Sequence, residues 1–358
     1  MNNSQKKQED YEGVGQLNVV NVVPIMRIQT CLENGLSKQK EAGMAYKVLI
    51  PEVVANEGIE HLKELGYEVK IGRGTDKAII LEDIHDCDAV IIRVAVIDRE
   101  IIEKSPKLKV IAKHGAGYDS IDTKAAADNG IRVVFAPTAN SLSVAEQAVA
   151  LMLACAKRIP FMADQYRKGN YKAKDIYINT ELAGKTLGLI GLGRIGMNVA
   201  RIAMHGFRMK VLAFDPFIPE GRDLEGVELV KDREELLQAA DYISLHVPAT
   251  PENVKSIGEK EFKLMKSTAI LINTARGTIV DQDALIQAIE NGEIAGAGLD
   301  VTDPEPAPLT NPIFGLDRVI VTPHCSGATK EAMIRMVMDA VMGIDEVLNG
   351  KEPTYKVV

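Results

Sequence analysis

Cysteine is scarce in this chain, with only Cys31, Cys87, Cys155 and Cys325 among 358 residues. No two of them form a CxxC pair or a zinc-ligand spacing, which disfavours both a disulfide scaffold and a zinc module. Carboxylates and histidines do not cluster at metal-ligand spacing either, so no catalytic metal is expected. Scattered cysteines of this kind are typical of a protein in the reducing cytoplasm, where we expect this one.

Positive charge is not in excess, because 42 lysines and arginines stand against 50 aspartates and glutamates, giving a net charge of −8. A nucleic-acid-binding protein usually carries a basic domain or stripe, so the composition disfavours that class. The longest uncharged apolar run, 148–156, is far shorter than the ~20 residues that span a bilayer. The sequence also lacks a signal peptide and a fixed-period repeat, which excludes a solenoid.

Hydrophobic residues make up 46 % of the chain and charged residues 26 %, as in ordinary globular proteins. A length of 358 residues corresponds to two domains at about 150 residues each. Residues 1–43 differ from the rest: 1–13 are polar and rich in glutamine and asparagine, 17–32 could form a short strand, and 33–43 are polar again, so we expect a flexible N-terminal extension there. Two explanations stay open: Met44 is the biological start, or residues 1–43 are a genuine arm.

From Tyr46 onward, short apolar segments alternate with helical ones. The pattern predicts strands at 46–50, 67–71, 88–93, 108–112 and 131–135, then at 186–190, 210–214, 242–247, 269–273, 296–300 and 319–322. It predicts helices at 55–65, 98–104, 141–158, 195–205, 233–239, 259–265, 283–291 and 328–348. Asn140 or Ser141 can cap the helix at 141–158. Such alternation predicts an α/β fold of two doubly wound, Rossmann-like parallel-sheet domains, with the second inserted into the first.

A glycine motif directly follows the strand at 186–190. Gly191, Gly193 and Gly196 form the pattern GxGxxG, and a helix-compatible segment comes next. The first glycine allows a tight turn, the second lets the backbone approach a pyrophosphate, and the third allows close helix–strand packing. The helix N-terminus then offers free N–H groups to that pyrophosphate. The order of strand, glycines and helix predicts a dinucleotide-binding site.

Three further residues bear on the cofactor. The next strand leads to Asp215, 19 residues after Gly196, where a carboxylate hydrogen-bonds ribose hydroxyls and repels a 2′-phosphate. No arginine follows directly, so NAD is favoured over NADP. Arg194, inside the glycine motif, is either a pyrophosphate ligand or a solvated side chain. His246, near the end of the strand at 242–247, is either a ligand at the binding edge or an ordinary strand-end histidine.

Three side chains that follow strands of the second domain suit hydride transfer between a 2-hydroxy acid and NAD. Arg276 offers a planar fork that matches a carboxylate bidentately and can polarise the C2 oxygen. His324 suits a general base in one direction and a general acid in the other. Glu305, in a segment stiffened by prolines, is the candidate partner whose carboxylate favours the imidazolium. Each of these three residues is weak evidence by itself. Because they occur in this order after a dinucleotide motif, together they are specific evidence for this reaction.

Four segments together resemble the signatures of the D-isomer-specific 2-hydroxyacid dehydrogenases, in order and in spacing. They are GLGRIG at 191–196, INTARG at 272–277, LDV…EP at 299–306 and TPH…GAT at 322–329. The resemblance covers about residues 44–358. It implies that Arg276, Glu305 and His324 are catalytic, that NAD is the cofactor, and that the helix near 141–158 builds a homodimer.

The same resemblance implies a domain division and further binding positions. Residues 44–139 and 327–358 would form the substrate-binding domain around an NAD-binding domain at 140–326. Substrate contacts are implied for Arg93, Lys113, Gly115, Ala116, Gly117, Asn140 and Arg276. Cofactor contacts are implied for Ile195, Val247, Pro248, Thr274, Ala275, Arg276, Asp300, His324 and Gly327, beside the three glycines, Arg194, Asp215 and His246.

Within this family, the chain resembles the short phosphoglycerate dehydrogenases, which lack a regulatory domain. Arg93 lies where those enzymes place a phosphate-binding arginine, and Lys113 lies near a second basic position. The sequence departs from the pattern after Arg93, because Val94, Ala95 and Val96 replace polar residues. The resemblance implies 3-phosphoglycerate as the lead substrate and a place in serine biosynthesis. No serine feedback is expected, since the chain ends soon after its last predicted helix.

Other functions stay open beside this one. Reduction of glyoxylate or hydroxypyruvate, or oxidation of another anionic 2-hydroxy acid such as sulfolactate, would use the same residues. Arg93 would then be a strand-end arginine paired with a nearby acid. A non-enzymatic NAD-sensing protein, as in the corepressors that share this fold, is an alternative of a different class, which a turnover assay separates. An unrelated Rossmann enzyme, in which the three residues coincide by chance, is the third hypothesis.

Overall fold

The computed structural model describes residues 45–219 and 221–358. The expectations for residues 1–43, and for Met44 as a start, therefore lie outside the described residues. Tyr46–Val358 forms one compact unit by its own contacts. In this part of the chain, no helix combines the length and the apolar character that a membrane span requires.

The first sheet contains five parallel strands: β1 (Lys47–Ile50), β2 (Glu68–Ile71), β3 (Ala89–Ile92), β4 (Val110–Lys113) and β5 (Arg132–Phe135). Their order across the sheet is β2-β1-β3-β4-β5. Strands β3 and β4 are buried at every residue, as expected for apolar runs covered on both faces. The intervening helices are α1 (Asn56–Glu64), α2 (Lys77–Ile84), α3 (Arg99–Glu103) and α4 (Thr123–Asp128).

The second sheet contains seven parallel strands: β6 (Thr186–Ile190), β7 (Lys210–Phe214), β8 (Glu228–Leu229), β9 (Tyr242–Leu245), β10 (Ile270–Asn273), β11 (Gly296–Leu299) and β12 (Val319–Val321). Their order is β12-β11-β10-β9-β6-β7-β8. The helices of this part are α5 (Ser141–Ala156), α6 (Ile159–Arg167), α7 (Ala173–Ile176), α8 (Arg194–Phe207), α9 (Arg233–Ala239), α10 (Glu259–Leu264) and α11 (Gln282–Glu290). Two 3₁₀ turns lie at Gly277–Ile279 and Pro312–Gly315. The predicted α/β fold with two parallel sheets is confirmed.

The strand order of the second sheet reverses between β6 and β9, which pair directly. Ligands of open parallel sheets bind outside the carboxyl ends of the strands at such a reversal. Strand β6 ends just before Gly191, and β9 ends just before His246. The topology therefore brings the glycine motif and His246 to the edge where a ligand is expected.

The last helix, α12 (Lys330–Leu348), returns to the first sheet. Its Val337 lies in the same hydrophobic cluster as Val134 of β5. Beyond the helix, the chain runs antiparallel to β5, where the N–H of Val357 donates to the carbonyl oxygen of Val133 (2.8 Å). Residues from the end of the chain thus complete the core of the first sheet.

Several elements differ from the sequence prediction. The pattern does not predict α2, α4, α6, α7 or β8, which are all short. Helix α6 buries no residue, so no core-facing apolar stripe marks it in the sequence. The expected side-chain cap of α5 is wrong: Asn140 occupies the N-cap position without a capping hydrogen bond, and Ser141 is already helical.

Candidate active site

The glycine motif lies between β6 and α8. Gly191 has a φ of +93°, and a Cβ there would lie 2.5 Å from the carbonyl oxygen of His246. A Cβ at Gly196 would overlap the carbonyl oxygen of Gly191. A Cβ at Gly193 would meet nothing within 4 Å. The first and third glycines are thus required by close contacts, and the second borders open space at the N-terminus of α8, where a pyrophosphate fits.

Asp215 lies beside this loop, just after β7. One carboxylate oxygen accepts from the N–H of Leu192 (2.8 Å) and the other from the N–H of Phe217 (3.0 Å). Arg194 begins α8, followed by Ile195. A cavity of about 590 Å³ borders Arg194, and the start of α5 forms part of its wall. Gly193 of the loop and the start of α8 therefore border one open volume, and Asp215 is bonded to the same loop.

His246 packs against the glycine loop. Its Nε2 lies 2.9 Å from the hydroxyl oxygen of Ser244, and its ring lies 3.8 Å from where a Cβ of Gly196 would be. Burial lowers the pKa of His246 to about 4, so the ring is neutral at physiological pH. Val247 and Pro248 continue along the same edge.

Three buried side-chain atoms lack a hydrogen-bond partner within the described residues: His114 Nδ1, Asn140 Oδ1 and Thr274 Oγ1. An unpaired buried polar group costs about 1–3 kcal/mol, so a polar ligand that reaches one stabilises the fold. Thr274 follows β10, at the edge of the sheet that carries the glycine loop. Asn140 directly precedes α5, where the chain passes from the first sheet to the second. Together with the open space at Gly193, these two atoms fit a nicotinamide dinucleotide. No metal-binding cluster of histidine, cysteine or carboxylates occurs in residues 45–219 and 221–358.

His324 and Glu305 form a hydrogen-bonded pair after β12 and β11. His324 Nδ1 lies 2.6 Å from Glu305 Oε1. The two side chains are 46 % and 41 % exposed, so a substrate can reach them. His324 Nε2 has no hydrogen-bond partner in the described part of the chain, which leaves it available to a ligand.

The turn that carries His324 is held by Asp300, which is fully buried. The Asp300 carboxylate accepts from the hydroxyl of Thr322 (2.5 Å) and from the N–H groups of Cys325 (3.0 Å) and Ser326 (2.8 Å). His324 itself has a φ of +48°, a left-handed conformation that is uncommon outside glycine and that collects at functional sites. The carboxylate expected to contact the cofactor thus fixes the turn that aims the imidazole.

Arg276 follows β10 and pairs with Asp119, an acid that no sequence pattern singled out. Arg276 Nε and Nη2 lie 3.1 and 2.8 Å from Asp119 Oδ2, and Nη1 donates to the carbonyl oxygen of Ala275 (2.7 Å). A Cβ at Gly117 would overlap Nη2, so the loop after β4, with Gly115 and Ala116, lies directly against the guanidinium. The structure therefore joins this loop of the first sheet to Arg276 of the second.

Arg93 and Lys113 lie at the ends of the neighbouring strands β3 and β4. Arg93 Nη1 donates to the carbonyl oxygen of Val53 (3.0 Å), and Glu52 accepts from the Arg93 backbone N–H (2.6 Å) rather than from the guanidinium. Lys113 Nζ donates to the carbonyl oxygen of Arg93 and to Ser120 Oγ (3.3 Å). Burial lowers the pKa of Lys113 to about 8. Lys113 is buried and bonds to the backbone of Arg93, whereas the Arg93 guanidinium bonds to Val53.

Comparison with known proteins identifies the family. The family model described as D-isomer specific 2-hydroxyacid dehydrogenase, NAD binding domain, matches residues 149–326. A glyoxylate reductase of Korarchaeum cryptofilum is 39 % identical over 302 residues, which are 82 % of this chain and 90 % of that protein. The chain belongs to the D-isomer specific 2-hydroxyacid dehydrogenase family. The resemblance found in the sequence is thereby confirmed.

Other relatives in the family carry different substrate names. A D-3-phosphoglycerate dehydrogenase of Methanocaldococcus jannaschii is 43 % identical over 307 residues, 85 % of this chain and 58 % of that protein. The chain thus spans little more than half the length of that relative. A crystal structure of a Thermus thermophilus protein matches with a TM-score of 0.81 and 38 % identity, over 87 % of this chain and 100 % of that one. A crystal structure of an NADPH-dependent glyoxylate/hydroxypyruvate reductase of Sinorhizobium meliloti, in complex with NADP and malonate, matches with a TM-score of 0.78 and 27 % identity. The match covers 88 % of this chain and 97 % of that one.

Proposed function

We propose that this chain catalyses NAD-dependent hydride transfer between a D-2-hydroxy acid and its 2-oxo acid. One observation carries the proposal: the His324–Glu305 pair and Arg276 follow adjacent strands of the sheet whose carboxyl edge also bears an open glycine loop. Membership of a family of dehydrogenases and reductases supports the reaction class. Oxidation of NADH with a panel of 2-oxo acids tests it. A protein that binds NADH and turns over none of them would fit the NAD-sensing hypothesis instead.

Each catalytic residue has a defined task in this reaction. In the direction of reduction, Arg276 binds the substrate carboxylate and polarises the C2 oxygen. The nicotinamide, when bound, supplies the hydride that C2 receives. His324 gives the proton on Nε2 to the C2 oxygen, while its Nδ1–H stays bonded to Glu305. In the reverse direction, His324 Nε2 takes the hydroxyl proton, and the Glu305 carboxylate stabilises the imidazolium that forms.

The charge of Glu305 predicts a pH effect. Burial is the largest single influence on the pKa of Glu305 and raises it, but the hydrogen bond and charge of His324, with smaller contributions from Thr302 and Arg276, together outweigh burial and hold that pKa below its ordinary value. Glu305 therefore carries its negative charge at neutral pH, next to the imidazole whose proton reduction consumes. We expect Glu305→Gln to move the basic limb of the pH–rate profile for reduction to lower pH. Rates across the profile measure the shift, and an unmoved limb would contradict the assigned role.

We infer 3-phosphoglycerate, with its 2-oxo acid, as the lead substrate, because Arg93 follows β3, Lys113 ends the neighbouring β4, and phosphoglycerate dehydrogenases are among the relatives. Glyoxylate or hydroxypyruvate is the second candidate, since Val94 and Val96 are 73 % and 58 % exposed beside Arg93 and offer a phosphate no side-chain donor. The ratio of kcat/KM for phosphohydroxypyruvate and hydroxypyruvate decides between them. A preference for the phosphorylated acid would make Arg93 and Lys113 phosphate ligands and fit serine synthesis.

We infer NAD rather than NADP, because the Asp215 carboxylate would repel a 2′-phosphate. Asp215→Ala should lower the preference for NADH over NADPH, as a ratio of kcat/KM, by about tenfold or more. The ratio is the measurement, since the lost bond to the N–H of Leu192 weakens both cofactors alike. Asp215→Asn is the matched variant, because it removes the charge and keeps an acceptor. An unchanged ratio in both variants would overturn the assignment to NAD.

We infer a homodimer built through the helix near 141–158, which is α5, and the segment that follows it to residue 178. Together they expose six large apolar side chains: Leu142, Ile159, Tyr166, Tyr171, Ile176 and Ile178. Exposed apolar area of this kind marks an interface. The double variant Ile176→Glu/Ile178→Glu should be monomeric by light scattering where the wild type is dimeric. Ile71→Glu, comparably exposed (62 %) on β2, is the control that should stay dimeric, and a monomeric wild type would refute the dimer.

We propose the substrate-binding domain at 44–139 and 327–358 and the NAD-binding domain at 140–326. The crossings between them are adjacent, because Ser143 Oγ donates to the carbonyl oxygen of Ser326 (2.7 Å). Two adjacent crossings form a natural hinge, and closure about it would exclude water during hydride transfer.

A further inference from the structure

The guanidinium of Arg276 is already partly bonded. It carries five N–H groups. Two of them, on Nε and Nη2, donate to Asp119 Oδ2, and one on Nη1 donates to the carbonyl oxygen of Ala275. One N–H remains on each of Nη1 and Nη2, which is the number that a substrate carboxylate needs for bidentate binding. The bonds to Asp119 and Ala275 therefore select which donors of Arg276 stay available.

Asp119 is itself held in place by its neighbours. The Tyr118 ring packs edge-on against Phe135, with centroids 5.6 Å apart. On the other side, the carbonyl oxygen of Ser120 accepts from the N–H of Ile97 (2.8 Å). Burial is the largest single influence on the pKa of Asp119 and raises it, but the hydrogen bond and charge of Arg276, with smaller contributions from a backbone N–H and Lys113, together outweigh burial and leave that pKa below the ordinary value. Asp119 is therefore a fixed anion throughout the pH range of an assay.

We propose that Asp119 is a positioning residue of the reaction, which holds Arg276 of the second domain in the orientation that receives the substrate carboxylate. The inference rests on the proposed function, and it adds a residue from the opposite domain to the catalytic machinery. Without Asp119, the long arginine side chain would sample several rotamers and meet the substrate less often in a productive one.

Asp119 also opposes substrate binding through its negative charge. The two effects differ in range: the hydrogen bonds to Arg276 are direct, whereas the Asp119 side chain is 62 % exposed, so water screens its repulsion of a substrate carboxylate. Orientation should therefore dominate. Asp119→Asn separates the effects, because an amide oxygen still accepts from Nε and Nη2 but carries no charge.

Steady-state kinetics with NADH and the preferred 2-oxo acid test the proposal. Asp119→Ala should raise KM for the acid about tenfold or more and leave kcat within about threefold. Asp119→Asn should return KM to within about threefold of wild type. In an Arg276→Lys background, Asp119→Ala should add no further loss, since residues that act through each other are not additive. An unchanged KM in Asp119→Ala would overturn the positioning role of Asp119. A rise in KM as large in Asp119→Asn as in Asp119→Ala, or a full additional rise when Asp119→Ala is combined with Arg276→Lys, would overturn it too.

A binding measurement separates this inference from the proposed reaction. Oxalate, a carboxylate that cannot be reduced here, is titrated into the protein–NADH complex by calorimetry. Weaker oxalate binding in Asp119→Ala, with unchanged NADH affinity, supports the positioning role even if wild type turns over no tested acid. Turnover by wild type with equal oxalate affinity in Asp119→Ala overturns the positioning role alone. Absence of oxalate binding to wild type overturns it as well.

Discussion

Replacing His324 with alanine should lower kcat for reduction of a 2-oxo acid by about 10²–10⁴-fold, the contribution of a well-placed general acid. KM should change little, because the side chain of His324 hydrogen-bonds to Glu305 and not to Arg276 or the glycine loop. NADH affinity should fall far less than kcat, since His324 is one of many expected cofactor contacts. Steady-state kinetics and a NADH titration measure both quantities on one preparation.

Two further variants distinguish loss of the imidazole from distortion of the turn that carries it. His324 has a φ of +48°, which alanine tolerates poorly, whereas asparagine accepts left-handed conformations. His324→Asn should therefore keep the turn and still lose turnover. Cys325→Ser changes the adjacent residue of the same turn and should keep near-normal kcat. Activity near wild type in His324→Asn would remove His324 from the reaction.

Replacing Arg276 with alanine should lower kcat/KM by about 10³-fold, since two charge-assisted hydrogen bonds to the substrate carboxylate are lost. Most of the loss should lie in KM, because the carboxylate is bound before and during the reaction. Arg276→Lys should recover only part of it, as an ammonium cannot reproduce a planar fork. Steady-state kinetics with the preferred 2-oxo acid separate the two parameters.

Arg99→Ala is the matched control for losing an arginine ion pair. Arg99 is exposed at the start of α3 and bonds to Glu103 and Asp128, neither of which contacts Arg276, His324 or Glu305. It should keep wild-type kinetics, which would show that the loss in Arg276→Ala is local. Unchanged kinetics in Arg276→Ala itself would contradict the assigned carboxylate contact.

Local sequence patterns predict the sheets well. Each of the eleven strands predicted from apolar runs is present, with ends shifted by a few residues at most. The glycine motif between β6 and α8 is also a local signal, because the positive φ of Gly191 and the contact of Gly196 with the carbonyl oxygen of Gly191 both arise within six residues. Short helices without a buried face, such as α6, leave no such pattern.

Local sequence patterns do not predict contacts between residues that are far apart in the chain. Arg276 and Asp119 are 157 positions apart, and the sequence alone does not distinguish Asp119 from Asp122, the other acid just after the glycine loop. The bonds from the Asp300 carboxylate to the His324 turn span 22 to 26 positions. The unpaired oxygens of Asn140 and Thr274 become visible only when burial is known. Side-chain orientation within the site therefore needed the folded structure.

The most direct test of the central claim is the rate of NADH oxidation by wild type with phosphohydroxypyruvate, hydroxypyruvate, glyoxylate, sulfopyruvate, 2-oxoglutarate and pyruvate. We expect saturable turnover of at least one acid, a D-configured product, and loss of that turnover in His324→Asn. Tight NADH binding without turnover of any acid would contradict the claim and would leave a nucleotide-binding protein that uses the same fold.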